Sequence, residues 1–213
     1  MKIDKDSMLL YVVTDRTWLG SNRLEVQVEA ILKAGATFLQ LREKELDTEA
    51  FLAEAKRIKE VTGRCRIPFV INDNIDVAIA ADADGVHVGQ SDMSPLDVRE
   101  RIGQHKILGV SVQTVEQALL AEKQGADYLG VGAVFSTSTK NDADAVVLET
   151  LTAICGAVSI PVIAIGGINE KNILELKGSG IDGVAIVSAI FASPNIPAAT
   201  RNLLSLSKKL VKG

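Results

Sequence analysis

Eight short apolar runs, each followed by a segment of helical period, constrain the fold of this chain more than any other feature in it. The runs are Leu9 to Thr14, Thr37 to Arg42, Pro68 to Asn72, Asp84 to Val88, Lys106 to Ser111, Asp127 to Val131, Pro161 to Ile165 and Asp182 to Val187. Helical spacing fills Asn22 to Lys33, Thr48 to Val61, Ile75 to Ala81, the stretch opened by Ser94-Pro95, Val115 to Gln124, Val146 to Ala157, Lys171 to Lys177, and Pro197 to the end. Asp47 or Thr48 can cap the second of these helices, and Ser94 the fourth, with Pro95 in its first turn. Strict strand–helix alternation implies parallel strands and right-handed crossovers. Eight such units in 213 residues predict an α/β protein, a (β/α)8 TIM barrel that forms a single catalytic domain over 1–213. An open doubly wound sheet is the alternative. No Gly-rich dinucleotide fingerprint follows the first strand, where the chain reads Thr14-Asp15-Arg16-Thr17-Trp18-Leu19-Gly20.

A weak repeat runs through the even-numbered strands. Gly35-Ala36-Thr37, Ala83-Asp84-Gly85, Gly125-Ala126-Asp127 and Gly180-Ile181-Asp182 lead into strands two, four, six and eight. Repetition in double βα units explains it. Side chains alternate across a strand. Val86 and Val88, Leu108 and Val110, Leu129 and Val131, Val184 and Ile186 share the bulky parity and belong against the helices. The other parity is small or polar and belongs in the lumen, which predicts an open mouth with room for a flat ring. Filling of that space by loops or large side chains is the alternative.

Composition excludes several roles. A formal net charge of −4 and a pI near 5.3 disfavour a nucleic-acid binder. Hydrophobic residues make up 47%, enough for a large core, yet no apolar run approaches the ~18 residues of a membrane span. The charged N-terminus has no apolar signal core, and the two cysteines, Cys65 and Cys155, form no C-x-x-C. Reduced cysteines in a cytoplasmic enzyme are expected; self-association into a homo-oligomer is left open.

In barrels of this kind, chemistry sits at the C-terminal strand ends. Strand two ends Gln40-Leu41-Arg42-Glu43-Lys44, strand three Asn72-Asp73, and strand four runs on to Asp92. Strand five ends at Ser111, and strand six opens into Ser136-Thr137-Ser138-Thr139-Lys140. Strands seven and eight end at Gly166-Gly167 and Val187-Ser188. Three groups emerge: cations (Arg42, Lys44, Lys140), carboxylates on neighbouring loops (Asp73, Asp92), and backbone donors after strands seven and eight, the usual phosphate cradle of this fold. Two acids beside cations fit Mg²⁺ bound with substrate phosphates. The site is thus suited to a diphosphate on one side and a monophosphate on the other.

Taken together, these stretches resemble the thiamine phosphate synthase family over nearly the whole chain. Tyr11-Val12-Val13-Thr14, Gln40 to Lys44, Asn72-Asp73, Asp84 to Asp92, Gly109-Val110-Ser111, Thr137 to Lys140, Gly166-Gly167-Ile168 and Gly183 to Ser188 carry the resemblance. It implies that Gln40, Leu41, Arg42, Glu43, Lys44, Asn72, Ser111 and Lys140 bind a pyrimidine diphosphate, with Arg42, Lys44, Ser111 and Lys140 catalytic. It also implies that Asp73 and Asp92 hold Mg²⁺, and that Thr137, Ser138, Thr139, Gly167, Val187 and Ser188 bind thiazole phosphate. The implied reaction is dissociative: diphosphate departs and the thiazole nitrogen captures a pyrimidinylmethyl cation. The chain shows no nucleophile–base pair, and such a reaction needs none.

Two departures from the family pattern stand out. Ala133 replaces a usual Pro after Gly132, and Val147 replaces a usual Gly before Leu148-Glu149. Both affect loop stiffness and remove no charge. A thiazole tautomerase-like homologue is the nearest rival; that group typically has a His where this chain has Ala133. A Schiff-base aldolase would want a Lys in strand six, which has none. A binding-only module would have no reason to keep Asp73, Asp92 and Lys140 together. His87 reads as a satisfied lumen residue and His105 as a surface one; Trp18 either covers the mouth or packs at its edge.

Overall fold

A computed structural model of the protein describes residues 3–136 and 146–212. Eight parallel strands close in sequence order into a barrel. They are β1 (Leu10–Val13), β2 (Phe38–Leu41), β3 (Phe69–Asn72), β4 (Gly85–Val88), β5 (Ile107–Val112), β6 (Tyr128–Gly132), β7 (Val162–Ile165) and β8 (Gly183–Ile186). Pairing of β1 with β8, Leu10 opposite Val184 and Val12 opposite Ile186, completes the closure and excludes the open sheet.

Helices α1 (Leu24–Lys33), α2 (Thr48–Cys65), α3 (Ile75–Ala80), α4 (Pro95–Ile102), α5 (Val115–Lys123) and α6 (Leu148–Ala157) follow the first six strands. Asp47 caps α2, taking the Ala50 N–H at 2.8 Å. The helix then runs past Val61 to Cys65 and stops at Arg66 in a left-handed conformation. Ser94 caps α4 as expected.

The segment after β7 differs from the sequence expectation. Instead of a helix over Lys171 to Lys177 there is one 3-10 turn, Ile173–Leu176. The Nδ2 groups of Asn169 and Asn172 both donate to the Gly167 carbonyl, at 3.1 and 2.9 Å. Short amide side chains that bond the nearby backbone compete with helix formation. After β8 come two helices, α7 (Ser188–Phe191) and α8 (Ile196–Lys212). The long α8 packs over the 3-10 turn and against α1, closing the helix layer.

The core has two parts. In β4, β5, β6 and β8 the bulky parity faces the helices, as the alternation predicts, and the outward residues of all eight strands join one continuous apolar layer. The lumen holds Met8, Tyr11, Phe38, Val70, Ile107, Tyr128 and Ile163, all buried. Here the reading of small residues as open space needs correction. A Cβ on Gly109 would lie 2.2 Å from the Tyr128 ring and 2.5 Å from His87 Nδ1. That glycine makes room for two large neighbours. Tyr11 stacks on Phe38 with ring centroids 4.6 Å apart.

The repeat before the even strands also has a physical cause. Thr37, Asp84, Asp127 and Asp182 each donate a backbone N–H to the carbonyl of Leu10, Phe69, Leu108 and Val162, at 2.7–2.9 Å. The side chain of each takes the N–H of the same residue in return, at 2.8–2.9 Å. Four two-point clasps thus join each odd strand to the next at the N-terminal rim, leaving the opposite rim for the site.

Candidate active site

Thr14 follows β1 and sets the position of Arg42. Its N–H donates to the Gln40 carbonyl at 3.0 Å, and its Oγ1 accepts the Arg42 N–H at 2.9 Å. Arg42 and Lys44 line a cleft of about 290 Å³ with Asp15, Arg16 and Thr17. Glu43 and Glu45 complete the lining. The Glu43 carboxylate, only 2% exposed, is held by Arg16 Nε at 2.7 Å. Arg16 also pairs with Glu54 of α2. Burial pushes the Glu43 carboxyl up, and Arg16 draws it part of the way back. The Leu41 side chain is fully buried in the outer core, so only its backbone faces the site region.

The acids come from β3 and β4. Asp73 follows β3 with φ of 61°, its N–H on the His87 carbonyl at 2.8 Å. Asn72 Nδ2 donates to Asp73 Oδ2. Asp92 Oδ2 accepts the Gly89 N–H at 2.7 Å. Although the Asp73 residue reaches solvent at the rim, partial burial of its carboxyl and then the neighbouring Asp92 push it up to about 6. Asn72 and Arg42 oppose the shift. Two mutually repelling carboxylates side by side are what a divalent cation would relieve. Among the described residues no group of three or more His, Cys, Asp or Glu could hold a metal. A pair of carboxylates, with phosphate oxygens and water completing the shell, suits Mg²⁺.

On the far side, Gly166 and Gly167 both have positive φ, 104° and 64°. A Cβ on Gly167 would come within 2.4 Å of the Ser136 carbonyl oxygen. Only glycine lets this turn sit under the loop after β6. That loop is closed at its base, where Val146 N–H donates to the Ala133 carbonyl at 2.8 Å. The Gly132–Ala133 peptide is cis. Val187 and Ser188 open α7, with the Val187 carbonyl accepting from Ile190 and Phe191. Thr137, Ser138, Thr139 and Lys140 lie outside the described residues.

Across the lumen runs a chain of hydrogen bonds. Gln40 Nε2 donates to Tyr11 Oη at 2.8 Å, and Tyr11 and Tyr128 hydroxyls are 2.7 Å apart. Tyr128 Oη is 2.8 Å from His87 Nδ1, and His87 Nε2 is 2.8 Å from Ser111 Oγ. Gln90 Nε2 holds the Ser111 carbonyl at 2.7 Å. The structure therefore brings Gln40 and Ser111 into one network, and His87 is a satisfied lumen residue. Trp18 packs at the edge of the outer core, and His105 is exposed. Burial, with Asp182 adding to it, pushes the Cys155 thiol up to about 12, which makes it a poor nucleophile.

Sequence reasoning missed Arg16, Tyr11 and Tyr128. Tyr11 and Tyr128 gave a signal, each a bulky polar residue on the lumen parity; Arg16 gave none, because its partners lie on two other elements.

The arrangement of strand-end cations, paired acids and a glycine turn on a closed barrel defines a phosphate-handling (β/α)8 enzyme. Residues 10–190 match the family model described as thiamine monophosphate synthase. A thiamine-phosphate synthase of Ruminiclostridium cellulolyticum is 50% identical over 92% of this chain and 94% of its own. One from Clostridium botulinum is 49% identical over 94% of both chains. The solved structure of a thiamine phosphate pyrophosphorylase from Pyrococcus furiosus superposes with a TM-score of 0.89 at 39% identity, covering 97% of this chain and 98% of that one. The chain belongs to the thiamine monophosphate synthase family: it is a transferase with thiamine-phosphate synthase activity. The tautomerase reading is not favoured. Among the described residues no helix is long and apolar enough to cross a membrane.

Proposed function

We propose that the chain, acting as one catalytic unit in the cytoplasm, joins 4-amino-2-methyl-5-(diphosphooxymethyl)pyrimidine to thiazole phosphate, giving thiamine phosphate and pyrophosphate. The carbon–oxygen bond to the diphosphate breaks, and the electron pair leaves with pyrophosphate. The thiazole nitrogen then donates its lone pair to the pyrimidinylmethyl cation. That nitrogen carries no proton, so no general base is required.

Arg42, Lys44 and Lys140 hold the diphosphate and stabilise its departing charge. Gln40, Asn72 and Ser111 place the pyrimidine ring, with the Leu41 backbone and Glu43 shaping the same wall. Glu43 acts there through Arg16. Thr137, Ser138 and Thr139, with the backbone of Gly167, Val187 and Ser188, hold the thiazole phosphate. Asp73 and Asp92 would hold Mg²⁺, which, when bound, supplies further charge neutralisation at the diphosphate. The observation that carries this reading is the Asp73–Asp92 pair set close to Arg42.

Incubation of the purified protein with both phosphorylated rings and Mg²⁺ should yield thiamine phosphate and an equal amount of pyrophosphate. Binding of both ligands with Mg²⁺ present and no product would reject the reading.

A further inference from the structure

The lumen chain from Gln40 to Ser111 has a direction. Tyr11 and Tyr128 are buried, and burial pushes both hydroxyls far above the ordinary phenol range, so each keeps its single proton. Gln40 Nε2 donates to Tyr11, so the Tyr11 proton must go to Tyr128 Oη. The Tyr128 proton must then go to His87 Nδ1. A neutral His87 accepting at Nδ1 carries its proton on Nε2, and gives it to Ser111 Oγ. Any reversal of one link leaves a hydroxyl proton buried without an acceptor, which is costly.

We infer that Tyr11, Tyr128 and His87 form a polarity lock that makes the two ring-binding side chains present opposite faces, a Gln40 carbonyl acceptor and a Ser111 hydroxyl donor, and so selects an aminopyrimidine over its oxo counterpart. This rests on the proposed placement of the pyrimidine between Gln40 and Ser111. A 4-aminopyrimidine offers an exocyclic N–H donor and bare ring nitrogens as acceptors. Replacing the amino group by oxygen turns the donor into a carbonyl acceptor and puts a proton on the adjacent ring nitrogen. The oxo ring therefore meets acceptor with acceptor and donor with donor. A site built to hydrogen-bond in one sense rejects the reversed pattern strongly, because its own polar groups are left unpaired. Tyr11, Tyr128 and His87 are positioning residues on this view, since each acts through Gln40 or Ser111.

The test compares kcat/KM for the 4-amino and 4-oxo pyrimidine diphosphates, with Mg²⁺ and saturating thiazole phosphate. The unaltered chain should prefer the amino ring by about 100-fold or more. Tyr128→Phe removes both links made by that hydroxyl. It should lower kcat/KM for the amino ring about 10- to 100-fold, mainly through KM, and leave the oxo ring within about threefold. The KM for thiazole phosphate should stay within about twofold. An equal fall for both rings would mean that the hydroxyl merely supports the fold, and would overturn the inference. A second measurement needs no change in the lumen. In a chain carrying His105→Gln, His87 is the single histidine. Its ¹⁵N spectrum at about pH 8, above the ordinary histidine range, should show bare Nδ1 and protonated Nε2. The opposite tautomer would overturn the lock. Absence of thiamine phosphate with the unaltered chain would instead sink the proposed reaction, and the histidine spectrum would still decide the lock.

Discussion

At the N-terminal rim, Asp84, Asp127 and Asp182 each take a backbone N–H at the start of a neighbouring strand and meet a cation. Their partners are Lys59 at 2.5 Å, Arg99 at 2.7 Å and Lys5 at 2.8 Å. At the C-terminal rim, Asp73 and Asp92 meet each other, and Asp73 sits in a left-handed backbone conformation. One side-chain type thus serves opposite ends. Below, the charge of each of these three aspartates is answered within the fold. Above, two carboxylates oppose each other and Arg42 offsets them only in part, which costs stability and, on the proposed reading, leaves a place for a cation.

The largest expected effect breaks the upper rim. Asp92→Asn removes one of the two carboxylates proposed to hold Mg²⁺. It should lower kcat by about 10³-fold, the scale of losing one strong electrostatic contact in a transition state. The melting temperature of the metal-free protein should hold or rise, because a repulsion disappears. Thiazole phosphate affinity, measured by calorimetry, should change little. Equal loss of both binding and turnover would contradict the division of the site.

The lower rim should respond in the reverse sense to Asp127→Ala. Arg99 is 7% exposed, and its guanidinium also donates to the carbonyls of Gly125, Gly103 and Lys106. Those bonds remain, but the charge loses its counter-ion, a change that costs roughly 3 kcal/mol in buried settings. For a domain of this size that is a fall of about 6–12 °C in melting temperature. Steady-state kinetics below the transition should stay near those of the parent chain.

The lower rim was also the more legible one in the sequence. Its clasps come from residues that lead into alternate strands, so a repeated local lead-in marked their positions though not their bonds. Strand parity was readable for the same reason: it depends only on alternation. The lumen was misjudged because parity says which residues face inward and not which neighbour fills the gap they leave. Gly109 looked like ligand space and is Tyr128 space. Tyr11 and Tyr128 are 117 positions apart, and no local pattern links them. The turn after β7 escaped for another reason: Asn169 and Asn172 bond backward to Gly167, which no helical periodicity registers.

Arg16 lies between the two rims in character, since it is at the mouth yet fully answered by acids. Arg16→Ala would take from Glu43 the cation that holds it and leave Glu54 with the looser Arg57 contact at 3.7 Å. Removing one partner of a buried pair costs a few kcal/mol; here Arg16 is partly exposed, so solvent screening reduces that to about 1–2 kcal/mol. Arg42 and Lys44 flank Glu43, so the loop that carries them should loosen. A rise of about three- to tenfold in KM for the pyrimidine diphosphate, with kcat less affected, is expected. A change in kcat alone would show that Arg16 touches the departing diphosphate itself.

The smallest effect is a pH dependence, and it isolates the cost of the upper rim. Asp73 has an ordinary value of 3.8 and is pushed up to about 6 in the fold, by burial and then by Asp92. Between those values the folded chain holds a proton that the unfolded chain has released. By linkage, metal-free stability should then fall as pH rises from about 4 to about 6, and level off above. Asp73→Asn should remove that component of the slope, so the variant's metal-free stability should fall less than the parent's between about pH 4 and about pH 6. Urea titrations at several pH values with a chelator present measure this directly. Mg²⁺ should stabilise the parent chain most above about pH 6, where the Asp73 carboxyl has lost its proton, and Asp73→Asn much less. A parent chain whose metal-free stability rises through the same window would show that Asp73 and Asp92 are not held in opposition, and the contrast between the rims would then rest on position alone.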